Sequence, residues 1–170
     1  MIRILAICGS LQAKSANLEL LRIAASSTPE DVEVTLFDGL RLLPPFNPDL
    51  ESTDVPPAVD AWRRAIADCD GILIASPEYA HSLPGALKNG VDWVIGSGEL
   101  ERKVVAITAA VPSPERGRLG LQALRQTLSA VSATIVGGDP IARGAGFDDR
   151  VEVLISALID AIRRAPPRNP

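Results

Sequence analysis

The sequence predicts a three-layer α/β/α sandwich around a five-stranded parallel sheet. Four segments are nearly continuous apolar runs of strand length: Ile2–Ile7, Ile72–Ala75, Val104–Ala109 and Ala133–Val136. Such runs suit strands covered on both faces. A fifth segment, Val32–Phe37, alternates Val32, Val34 and Leu36 with Glu33 and Thr35, which marks one wetter face and an edge position. Helical periodicity fills the gaps, so the order is βαβαβαβαβα. Right-handed crossovers then favour strand order 2-1-3-4-5, which puts the alternating strand at an edge.

The helices follow from spacing and punctuation. Asn17–Ala25 places Leu18, Leu21 and Ala25 at helical intervals. Val55–Asp68 opens on Pro56 and Pro57, residues suited to a first turn. Pro84–Ile95 also opens on proline, and Gly90 inside it costs ~1 kcal/mol relative to alanine. Glu115–Val131 aligns Leu124, Leu128 and Val131, and the last helix aligns Val151, Leu154, Ile155, Leu158, Ile159 and Ile162. The stretch Asp38–Asp54, with Pro44, Pro45 and Pro48, reads as a surface loop. Residues 1–164 are expected to form one domain, and 165–170, rich in proline, a frayed tail.

Composition narrows the function classes. A chain of 170 residues, 46% hydrophobic and 22% charged, is ordinary for a globular domain. A net charge of −4 and a pI near 5.0 argue against a nucleic-acid partner. Cys8 and Cys69 are too few for a disulfide framework and lie in apolar company, so they are read as reduced core residues. One histidine and no ligand-like spacing leave no metal site to predict. No apolar run approaches the ~20 residues that span a bilayer, and the N-terminal run is too short for a secretory signal. A cytoplasmic protein with no membrane partner is therefore expected.

Two polar loops stand where ligands bind in such sheets, beyond the carboxyl ends of strands one and three. The first is Gly9-Ser10-Leu11-Gln12-Ala13-Lys14-Ser15-Ala16-Asn17. A helix start offers unpaired N–H groups and partial positive charge to an anion, and Ser10, Ser15, Asn17 and Lys14 add donors. Gln12 and Leu18 complete the turn. Read alone, Ser15 suits a helix cap as well as a phosphate ligand. The second loop is Ser76-Pro77-Glu78-Tyr79-Ala80-His81-Ser82-Leu83-Pro84. Tyr79 offers a ring to a flat partner, Pro77 stiffens the turn, and the backbone of Glu78–Ser82 suits the polar rim of an isoalloxazine. His81 is a candidate to hold a substrate or nicotinamide, and Glu78 either meets the ring or fixes the loop. A third loop, Ala110–Arg118, brings Ser113 to the flavin edge and Arg116 and Arg118 to the phosphates of a donor. Together these loops point to flavin mononucleotide (FMN).

At Gly9-Ser10…Ser15-Ala16-Asn17 and at Pro77-Glu78-Tyr79…Ser82-Leu83-Pro84-Gly85-Ala86-Leu87-Lys88-Asn89…Asp92-Trp93, the chain resembles the NADPH-dependent FMN reductase family of flavodoxin-like proteins. The resemblance implies FMN held by Ser10, Ser15 and Asn17 at its phosphate, with Pro77, Glu78, Tyr79 and Ser82 around its ring. It implies NADPH or NADH as hydride donor, a quinone, free flavin or similar small-molecule acceptor, and a homodimer or homotetramer with the Trp93 helix as a possible contact. No residue is assigned a catalytic role, because the flavin carries the redox chemistry.

Two positions depart from the family pattern. Gln12 stands where arginine is usual, which removes a charge-assisted phosphate bond of about 1.5–3 kcal/mol; Lys14 is expected to compensate in part. Ala80 stands where asparagine is usual, which puts a side-chain contact at the flavin edge in doubt. Two other readings compete with a reductase. One is a flavodoxin-type electron carrier, although such carriers are more acidic and have a Thr-x-Thr-Gly-x-Thr turn that is absent here. The other is a relative that no longer binds FMN.

Overall fold

A computed structural model describes residues 1–166, the side chains of residues 52 and 53 excepted. Five strands form one parallel sheet in the order β2-β1-β3-β4-β5. They are β1 (Ile2–Cys8), β2 (Val32–Phe37), β3 (Gly71–Ala75), β4 (Val104–Val111) and β5 (Thr134–Ala142). The flavodoxin-like order read from the sequence is the observed one, with alternating β2 at an edge.

Side-chain alternation along the central strands builds two cores. Leu5, Ile7, Ile72, Ile74, Val105 and Ile107 face α3 (Pro57–Asp68), α4 (Gly85–Asp92) and α5 (Arg118–Ala130). Ile4, Ala6, Leu73, Ala75, Val104 and Ala106 face α1 (Ala16–Ser26) and α6 (Phe147–Arg164). Every residue of β3 is buried, as a central strand between two helical layers requires. Helix α6 presents Val151, Ile155, Leu158 and Ile159 inward, the stripe its spacing predicts.

Three segments differ from the sequence reading. Strand β5 continues six residues past Val136. A register shift between Ile107 and Ala109 sets Gly138 and Asp139 against Thr108; Gly137 and Gly138 both have positive φ, and Thr108 Oγ1 donates to Asp139 O at 2.9 Å. The glycine pair bends the strand instead of ending it. The Asp38–Asp54 stretch is ordered by a 3-10 turn (Gly39–Leu42) and by α2 (Pro48–Thr53), which Asn47 caps by accepting from Asp49 N. Helix α5 starts at Arg118, later than expected, because Gly117 at φ +82° breaks the turn before it. Of the expected tail, Ala165 is extended after α6, and residues 167–170 lie outside the described residues. Neither cysteine is in a disulfide: Cys69 is buried, its thiol donating to Ile66 O at 3.3 Å, and Cys8 is half-buried.

Candidate functional site

The loops after β1, β3 and β4 lie side by side because their strands do. Gly9 N donates to Ala75 O at 2.9 Å and Ser76 N to Thr108 O at 2.9 Å, so the ladder extends into the loops themselves. A Cβ on Gly9 would fall 2.8 Å from Ser76 Oγ. Glycine is what lets the first loop touch the second.

The β1 turn is rich in donors. Ser15 caps α1 in extended backbone, its Oγ accepting from Asn17 N at 3.2 Å, and Ser10 Oγ accepts from Gln12 N at 3.2 Å. The capping role and the ligand role are therefore compatible, since each hydroxyl accepts through a lone pair and keeps its proton to donate. Both serines are buried. Among the described residues, the backbone N–H groups of Lys14, Ala16 and Leu18 meet no acceptor, and the Lys14 ammonium meets no carboxylate. Unpaired N–H groups at a helix start, with the positive end of the helix dipole behind them, suit a phosphate dianion. The residues present fit the phosphate of FMN. Asn17 is also buried, but its Oδ1 accepts from Ala110 N at 2.9 Å. Its carbonyl thus ties α1 to the end of β4, and only its Nδ2 is left to serve a ligand. Gln12 and Lys14 are exposed on the outer side of the turn.

In the second loop, Tyr79 and Ser82 exchange backbone bonds of 3.0 and 2.9 Å, and the residues between them both have positive φ, Ala80 at +49° and His81 at +61°. This is a two-residue hairpin of the primed kind, which favours asparagine or glycine for backbone reasons. Asparagine at position 80 would suit that conformation better than the alanine present. Tyr79 is 52% exposed and rests on no other ring, and His81 is exposed. The Glu78 side chain is engaged within the protein: its Oε2 accepts from Gly120 N at 2.9 Å and so caps the first turn of α5. A Cβ at Gly120 would lie 2.9 Å from Glu78 Cα. Gly120, unremarked in the sequence, is the residue that seats α5 against this loop.

The third loop reaches the same end of the sheet. The Glu115 carboxyl is held below its ordinary range chiefly by the Ser113 hydroxyl beside it and then by a backbone N–H, with desolvation opposing and the Arg118 charge adding least. Arg116 and Arg118 are exposed in the same loop, and Arg118 Nε donates to Pro114 O at 3.1 Å.

The remainder of the Pro77–Trp93 run has a different task. Asn89 accepts from Phe46 N at 2.8 Å and donates through Nδ2 to Pro44 O at 2.9 Å. Trp93 Nε1 donates to the same carbonyl at 2.8 Å, and its ring meets Phe46 edge-on at 5.1 Å. One turn of helix apart, the two side chains clamp the Pro44–Phe46 segment. Trp93 is fully buried by this chain, so its indole is unavailable to a subunit contact.

The sequence pattern described as NADPH-dependent FMN reductase matches residues 2–148. The chain belongs to that family. The reductase is 31% identical to an NAD(P)H-dependent FMN reductase of Pseudomonas aeruginosa over 95% of this chain and 94% of that protein. It is 27% identical to a quinone reductase of Escherichia coli over 94% of this chain and 86% of that one. Probable NADPH:quinone oxidoreductases of rice are 42–44% identical but match over 47–49% of their own length. Its fold is that of FerB, a flavoenzyme NAD(P)H:(acceptor) oxidoreductase from Paracoccus denitrificans, with a TM-score of 0.85, 97% of this chain and 99% of that chain covered, and 22% identity. The reductase is an NAD(P)H-dependent flavin oxidoreductase with FMN as cofactor. No helix among its described residues is long and apolar enough to cross a membrane.

Proposed function

We propose that the reductase passes hydride from NAD(P)H through FMN to a quinone, a free flavin or a similar small acceptor, with the cofactor lying across the β1 turn and the Pro77–Pro84 loop. The observation that supports this reading is the Gly9–Ser76 contact, which sets the donor-rich turn beside the Tyr79 hairpin. Bound FMN supplies the two-electron chemistry. Ser10 and Ser15 donate hydroxyl protons to the phosphate, Lys14 adds a positive charge in place of the arginine absent at position 12, and Asn17 Nδ2 and the α1 N–H groups complete the seat. Pro77, the Tyr79 ring and the Glu78–Ser82 backbone orient the flavin, while Glu78 holds that loop through Gly120. Ser82 closes the hairpin and keeps its hydroxyl for the ring or the acceptor. His81 and the Arg116 and Arg118 side chains face solvent where a donor approaches.

A homodimer in the cytoplasm is the proposed working form. Tyr79 and Leu119, 52% and 47% exposed, offer apolar surface beside the site, and Ile95 at 57% takes the place proposed for Trp93. Mixing the purified protein, FMN, NADPH and a benzoquinone should consume NADPH in proportion to quinone. Lys14→Ala should weaken FMN at least several-fold. Absence of turnover with both nicotinamides refutes the activity, and sub-nanomolar FMN binding unchanged in Lys14→Ala refutes the role given to that lysine.

A further inference from the structure

A cleft of about 130 Å³ opens between the β1 turn, whose Ser10 and Leu18 it shares with the proposed phosphate seat, and the end of β2. Leu11 and Leu36, 56% and 39% exposed, and Phe37 form apolar walls, while Gln12, Asp38 and Arg41 form a polar rim. The rim groups are unengaged. Asp38 precedes the 3-10 turn without capping it through its side chain, and its carboxylate has no hydrogen bond or ion pair among the described residues. Arg41 donates only through Nε, to Asp38 O at 3.4 Å, which leaves both terminal nitrogens without an acceptor among the described residues. The Gln12 carboxamide is likewise unbonded among them.

Topology gives this arrangement a meaning. β1 and β2 are parallel, joined by α1, and registered so that Ile7 faces Phe37 and Asp38 follows directly. In parallel βαβ units that bind dinucleotides, the phosphates sit at the helix start, and an acidic residue after the second strand takes the ribose hydroxyls of the adenosine half. Here the same three parts occur in the same order: an anion-binding helix start, an apolar slot beside it, and an unpaired carboxylate at the second strand's end. A guanidinium stands three residues further on. A flat aromatic base suits the slot, ribose hydroxyls suit Asp38 as donors, and a phosphate suits the paired terminal nitrogens of Arg41.

We propose that this cleft is an adenylate subsite, which takes the adenosine phosphate half of a dinucleotide whose other half works at the flavin site. The inference rests on the FMN reading above only for that second half. Two dinucleotides have the chemistry: the NADPH donor, and FAD bound with its flavin in place of FMN. The FMN-loaded protein is titrated calorimetrically with 5′-AMP, alongside Arg41→Ala and Leu36→Glu. The expected result is saturable binding that each substitution weakens at least tenfold, with FMN content unchanged. Two further measurements separate the sources. A raised KM for NADPH at unchanged kcat in Arg41→Ala identifies the donor; a loss of FAD affinity without loss of FMN affinity, measured on the apoprotein, identifies the flavin dinucleotide. The proposal is overturned if 5′-AMP does not bind saturably, if it binds all three proteins alike, or if neither NADPH nor FAD responds to Arg41→Ala. A protein that holds no FMN but still binds 5′-AMP through Arg41 overturns the flavin site and leaves this subsite standing.

Discussion

Ala80 holds φ +49° and its neighbour His81 +61°, conformations in which a Cβ crowds the following carbonyl. Asparagine tolerates this region far better than alanine. Ala80→Asn is therefore expected to raise stability by about 0.5–1 kcal/mol, or roughly 2 °C in thermal melting of a chain this size; a melt no higher than the parent's contradicts that account. The sequence showed that position 80 was unusual but not why, because φ is set by the Tyr79–Ser82 backbone exchange and not by any local residue preference. Ser113 has a parallel history. Its type and place suit a flavin contact, and the bond from its hydroxyl is also the leading cause that lowers the Glu115 pKa. Because that bond lowers the Glu115 pKa in the folded state, its contribution is present above the ordinary carboxylate range and is lost as pH falls through the lowered value. Ser113→Ala should return the Glu115 titration, followed by carboxyl NMR, towards its ordinary midpoint.

Among the elements, the Pro77–Trp93 run divides in two. Its first half shapes the ligand loop, and its second half grips Pro44–Phe46 through Asn89 and Trp93. Asn89→Ala removes two bonds and leaves Phe46 N without its acceptor, at a cost of about 1–3 kcal/mol. Limited proteolysis should then cut near residues 44–50 faster than in the parent while FMN affinity changes little. Equal cutting rates contradict the clamp. Four strands were legible as apolar runs covered on both faces and β2 by its 2-residue alternation, while most helices showed the 3.6-residue period that burial imposes. The clamp was not, since it joins residues more than forty positions apart by side chain to backbone, and nothing in composition marks a carbonyl as a partner. The end of β5 was missed for a related reason: Gly137 and Gly138 signal a stop locally, and only pairing with β4 turns them into a bulge.

Over the whole molecule, the proposed site draws on loops that follow three adjacent strands, so a ligand that touches all three would tie together segments far apart in sequence. FMN at a hundred times its dissociation constant should stabilise the fold by about 2.7 kcal/mol, a shift of roughly 5–10 °C for a chain of this length. A melting temperature unmoved by saturating FMN would contradict a site spread over these loops. The Glu78–Gly120 contact has a consequence for recombination. The carboxylate belongs to the first half of the chain and the glycine to the second, and any side chain at 120 collides with the backbone at 78. Chimeras that exchange halves with a relative between β3 and α5 should therefore stay functional only when the incoming helix has glycine at that place. This pairing constraint spans the two exchanged halves, and a shuffled library would expose it as a gap in the survivors.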